Sequence, residues 1–134
     1  MQNPNSVLKK WFYTTLSGMG FEVYDGMAPE SAGNEYIVMD ARTSNQEQGK
    51  SGYTNTCSVD IDIVTKNANF GYKRSEEISN DILYTINSDN TIDLGNGWNA
   101  STNYVSIRNL DGLNPLDNVF RTILTYNLII TQTQ

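Results

Sequence analysis

A chain of 134 residues with a net charge of -6 and no histidine excludes several classes at once. Without histidine there is no Ser-His-Asp or Cys-His catalytic set and no imidazole-based metal site. The acidic balance argues against holding nucleic acid through phosphate neutralisation, and the single cysteine, Cys57, excludes an internal disulfide.

The length predicts one domain, large enough to bury a core without disulfides or metal. No run of about 18 apolar residues is present, so no membrane span is expected. The opening "MQNPNSVLKKWFYTT" lacks the basic-then-apolar order of a signal peptide, so a chain made and kept in a cytoplasm is expected. Only Lys9–Lys10 and Lys73–Arg74 are paired basics.

Residues 5–17 read as a helix, with Asn5 or Ser6 as cap and Val7, Leu8, Trp11, Phe12, Thr15 and Leu16 at helical spacing. Gly18 and Gly20 supply the stop. A short strand, Phe21 to Tyr24, follows and ends in a turn at Asp25–Gly26; "MAPESAGN" is loop. "EYIVMDART" is a strand apolar on both faces in its middle, hence central in the sheet. Ser44 to Gly52 reads as a polar loop, making the strands on either side an extended hairpin.

The long strand from Tyr53 alternates. Cys57, Val59, Ile61 and Ile63 make one apolar face; Ser58, Asp60 and Asp62 lie on the other. Cys57 therefore reads as a small buried hydrophobe. After a break at "NANFG", a second helix carries the stripe Ile78, Ile82, Leu83 and Ile86. It starts at Ser75 if that residue is the cap, and nearer Tyr72 otherwise. "DNTIDLGNG" is a turn-rich link. A strand from Trp98 follows, with Trp98, Ala100, Thr102 and Tyr104 on one side. "DGLNPLD" is loop, the last strand alternates through Phe120, Leu124, Tyr126, Leu128 and Ile130, and the tail "TQTQ" frays. The expected class is α+β, a mainly antiparallel sheet flanked by two helices in the order α-β-β-β-α-β-β.

Candidate chemistry is sparse. Asp60 and Asp62 are two apart on one strand face, an arrangement that can hold a divalent cation or share a proton; a solvated or subunit-facing strand surface is the simpler reading. "DNTID" lacks the glycine and distal glutamate of a calcium loop. "GNG" at Gly95 to Gly97 does not open a helix after a strand, so it is no phosphate cradle. Arg42, Arg108 and Arg121 lie on strands, where any of them can pair with an acid across a subunit contact, ordinary surface positions being the simpler reading for at least two. No nucleophile–base pair, metal cluster or cofactor motif is present, so neither enzyme activity nor a cofactor is expected.

Several phrases in this order carry a resemblance: an N-terminal helix, "VYDGMAPE" leading into "YIVMD", a polar hairpin, "CSVDIDIVTK", a helix opened by "GYKRSEEISNDILYTI", and two closing strands, the last rich in "F…L.Y.L.I". Together they resemble the tail-completion or tail-terminator proteins of tailed bacteriophages over nearly the whole chain. The link "NSDNTIDLGNGWN" is longer than in many members. The resemblance implies a homo-oligomeric ring, usually a hexamer, in the virion at the head–tail junction, assembled in the host bacterial cytoplasm. Such a ring ends the tail tube and meets the head connector, and DNA passes through its lumen. Ser44, Asn45, Gln46, Glu47, Gln48 and Lys50 become candidate contacts to the tube or connector. Asp60 and Asp62 become a lumen or subunit surface. Other readings are a neck or connector-completion ring, a ligand-binding module using Trp98, Tyr104 and Tyr126, and a metal-assisted hydrolase using Asp60 and Asp62.

Overall fold

The computed structural model describes residues 4–49, 52–66, 72–95, 97–111 and 119–133. Helix α1 spans Pro4–Gly18 and strand β1 Val23–Asp25. Two long strands, β2 at Glu35–Gly49 and β3 at Gly52–Thr65, precede helix α2 at Lys73–Thr85. Strands β4 at Ile92–Gly95, β5 at Trp98–Asp111 and β6 at Phe120–Thr133 complete the chain. The six strands form one sheet in the order β1-β2-β3-β6-β5-β4. All pairings are antiparallel except β1 with β2. This is the α+β class read from the sequence, with one strand more: β4 forms within the turn-rich link.

Both helices lie on one face of the sheet. Leu8, Phe12 and Leu16 of α1 and Ile78 and Ile82 of α2, with Ile86 just past its end, bury completely or nearly so. They meet Ile37, Met39, Cys57, Val59, Ile61, Ile63, Leu124, Tyr126, Leu128 and Ile130 from the strands. The alternation read in β3 thus faces the helices, and Cys57 is a fully buried part of the core. The Phe12 and Tyr126 rings pack at 5.7 Å, and the Tyr126 hydroxyl donates to the carbonyl oxygen of Ile86 at 2.8 Å. Among the described residues, the opposite face of the sheet carries no helix.

Local rules account for the boundaries. Helix α1 begins at Pro4, one residue before the expected start; proline's fixed φ suits the first turn, whose N–H has no helical acceptor. Its end turns at Gly20, whose φ of +96° belongs to the left-handed region that glycine occupies at little cost. Helix α2 begins at Lys73 with Tyr72 at the cap position, so Ser75 is not the cap. It sits in the first turn, where its Oγ donates to the Tyr72 carbonyl and bonds the Thr122 hydroxyl at 2.8 Å. Arg74 clamps Glu35 through Nε and Nη2, at 2.7 and 3.1 Å, which pins the start of α2 to the start of β2.

Three expectations are corrected. The segment Ser44 to Gly49 is strand, not loop: β2 runs on to Gly49 and pairs with β3 to Gly52. Cross-strand hydrogen bonding outweighs the polar composition there. The tail is not frayed through Thr133, because β6 pairs with β3 over its whole length. The apolar strand around Tyr36–Met39 is not central but one in from the edge; the centre is the β3–β6 pair. The expected break at 67–71 and most of "DGLNPLD" lie outside the described residues. Among the described residues, no helix is long and apolar enough to cross a membrane.

Candidate assembly surface

The helix-free face is built from β2, β3, β6 and β5, and its polar character follows from strand alternation. Register places Asp60 beside Asp40 on one side and Thr125 on the other. Two carboxylates directly opposite repel, and Asp60 is compensated twice. Arg42 Nη2 donates to its Oδ2 at 2.7 Å, and the Thr125 hydroxyl donates to its Oδ1 at 2.8 Å. One step along β3, Arg121 reaches Asp62 with both Nε and Nη2, the Nε contact at 3.2 Å. This two-point hydrogen bonding to Asp62 raises the Arg121 pKa above its ordinary value. Farther along, Asn127 Nδ2 donates to Ser58 Oγ at 3.4 Å.

Asp60 and Asp62 therefore share the helix-free face, as expected, but each is held by its own arginine from a neighbouring strand. Among the described residues no group of three His, Cys, Asp or Glu side chains converges on a metal-sized space. The hydrolase reading loses its cation site, because a metal would have to displace a guanidinium from each carboxylate. Of the three strand arginines, Arg42 and Arg121 pair within the chain. Arg108 is exposed and has no ion-pair partner among the described residues.

The candidate contact residues Ser44, Asn45, Gln46, Glu47 and Gln48 lie along the outer part of β2; Lys50 lies outside the described residues. Ser44 is the extra residue of a β-bulge between Thr43 and Asn45. A bulge reverses which residues face which side beyond it, so Gln46 comes opposite Asn55. Asn55 is buried on the helix side, and its amide finds no hydrogen-bond partner among the described residues.

A second bulge, between Thr102 and Tyr104, acts on β5 in the same way. It moves Tyr104 off the face shared by Ala100 and Thr102 and onto the helix-free side opposite Asn127. Trp98 and Tyr126 are fully buried in the core, whereas Tyr104 is 56% exposed. The three aromatics of the ligand-module reading do not converge, and that reading loses its site. Shallow grooves lie among the described residues. One, of about 340 Å³, lies between the Gly26–Ala28 turn and Tyr36, Val38, Val64 and Arg121 on the helix-free face. Another, of about 240 Å³, runs between α2 and β5 beside Glu76, Ser79 and Ile107.

What sequence reasoning missed is the pair of sheet edges. Strand β1 pairs β2 only at Ile37, Val38 and Met39, and β4 pairs β5 only from Trp98 to Ala100. Beyond these points, Asp40–Gly49 and Ser101–Asp111 have no outer strand among the described residues. Strand order is set by contacts distant in sequence, so no local signal marks these edges.

No protein-family model matches the chain, and no curated protein matches its sequence. Nine solved chains are similar. One of them aligns with a TM-score of 0.62 over 99% of this chain and 98% of its own length, at 9% sequence identity. Its name states no activity, and at that identity the likeness bears on the fold alone.

Proposed function

We propose that the chain is a structural subunit of a ring at the head–tail junction of a tailed bacteriophage. The ring ends the tail tube and joins it to the head connector, and DNA passes through its lumen. The chain is then a virion component and not an enzyme. Its partners are its own copies, in a hexamer, together with the tube and connector proteins. A neck or connector-completion ring is the nearest variant.

The observation that supports this best is the one-sided sheet. One face is spent on the helices. The other is a broad polar surface whose Asp60 and Asp62 are already satisfied by Arg42 and Arg121, with no deep pocket among the described grooves. Such a surface suits contact with protein neighbours, or a lumen that must not hold DNA, better than small-molecule chemistry.

The experiment is electron microscopy of the purified chain at high concentration, with a mass measurement on the same sample. Closed rings of six subunits with a central hole are expected. A compact monomer at every concentration, both alone and with tail tubes added, would overturn the reading.

A further inference from the structure

We infer that two copies of this chain join edge to edge, the open stretch of β5 in one pairing antiparallel with the same stretch in the other about a two-fold axis at Ile107. The inference goes beyond the ring reading and does not depend on it. A two-fold contact closes at two copies, whereas a ring needs one that repeats.

The edge itself comes first. Past Ala100, Ser101–Asp111 has no outer strand among the described residues, and an unpaired edge is a ready template for another strand. This edge also shows large apolar side chains: Ile107 is 57% exposed and Tyr104 56%, with Val105 and Leu110 half-buried. Ile107 lies on the helix side, opposite Leu124, but α2 packs over β3 and β6 and leaves it uncovered. The shallow groove between α2 and β5 has Ile107 on its wall, beside Glu76, Ser79 and Asn109. A second β5 laid along the edge covers Ile107 and closes the open side of that groove.

Faces, stops and charge then select one register. Residues directly opposite in an antiparallel pair share a face. An axis between consecutive residues would set the helix side of one copy against the open side of the other, so the axis passes through a residue. At Ser106, counting past the extra residue Asn103, it would drive Asp111 into the place that Ile92 of the other copy holds beside Ala100. An axis nearer Ser101 overlaps β4 further. At Arg108 it would set two arginines head-on, and Arg108 has no ion-pair partner among the described residues to compensate it. Beyond Arg108, too little of the strand remains to pair.

An axis at Ile107 meets every condition. Asp111 comes opposite Thr102, clear of β4. Ile107 meets its own copy on the helix side, and Tyr104 meets Leu110 on the open side, so the most exposed apolar side chains of the edge cover one another. Arg108 comes opposite Ser106. The two Arg108 side chains lie on a diagonal and can lean apart, each over the Tyr104 ring of the other copy. The helices of both copies then stand on one side of a continuous sheet.

The test is I107C, since directly opposite strand positions bring Cβ atoms close to disulfide range, while Cys57 is buried. Mild oxidation of the full chain at high concentration is expected to give a linked dimer, at least about tenfold above S106C under the same conditions. Separately, I107D sets a charge against its own copy and is expected to lower dimer formation, read by sedimentation, by at least about tenfold; thermal melting confirms that the variant folds. No I107C link, or a dimer untouched by I107D, overturns the pairing. A stronger link through S106C moves the axis and overturns the register. Closed rings lacking the I107C link overturn the pairing and leave the ring reading standing. Linked dimers that never close into rings, even with tail tubes added, uphold the pairing and count against the ring reading alone.

Discussion

Tyr126 shows how much one side chain couples the two halves of this protein. It sits on the central strand β6, touches Phe12 of α1, and holds the end of α2 through the Ile86 carbonyl. Burial pushes its phenol well above the ordinary tyrosine value of 10.0, because the phenolate would lose its water. The folded value is therefore raised above the unfolded one. The corresponding stability is fully present below about pH 10 and is lost as the pH rises through the folded value. Tyr126→Phe is expected to cost about 1–2 kcal/mol at neutral pH, by leaving the Ile86 carbonyl without its donor. It should also flatten the alkaline limb of a stability-versus-pH curve. Urea titrations from pH 7 to 11 check both parts, and an unchanged alkaline limb would remove Tyr126 as the titrating group. The contrast with Asp60 and Asp62 is instructive. Their types and spacing were plain in the sequence, but the arginines that answer them come from β2 and β6, 18 and 59 positions away.

At the scale of elements, α2 is the most legible piece. Its isoleucines recur at helical spacing, and Ile78, Ile82 and Ile86 are all buried. Its other face is open, with Tyr84 87% exposed. Ile82→Ala is expected to destabilise by about 2–5 kcal/mol, through lost burial and the cavity left behind. Tyr84→Ala should change stability by no more than about 0.5 kcal/mol. Chemical denaturation of both variants tests the stripe, and equal effects would mean the helix face is misassigned. The β2–β3 hairpin was less legible. A run of Ser, Asn, Gln and Gly reads as loop because its side chains favour turns. Here both strands keep their ladder through it, at the cost of one bulge at Ser44. The bulge in β5 defeats alternation in the same way: counting by twos from Trp98 puts Tyr104 on the wrong face, because Asn103 is an extra residue in the strand.

At the scale of the whole molecule, charge and topology bear on assembly. A net charge of -6, with its strand arginines Arg42 and Arg121 drawn into carboxylate pairs, leaves little to release counterions from a phosphate backbone. Duplex DNA is expected to show no measurable binding at about 150 mM salt, the behaviour that the proposed ring lumen calls for. Fluorescence anisotropy with a labelled duplex checks this; retention with a steep salt dependence would point instead to a DNA-gripping surface.

The amino-acid pattern by itself determined the two helices, the long alternating strands, the buried place of Cys57 and the α+β class. Each follows from periodicity over neighbouring residues, which local geometry converts directly into a face. Only the tertiary structure decided the strand order, the two bulges, the arginine partners of Asp60 and Asp62, and the open edges at Asp40–Gly49 and Ser101–Asp111. Those features depend on which distant strands meet. Pairing is settled by the summed burial and hydrogen bonding of the whole sheet, to which no single stretch of sequence holds the key.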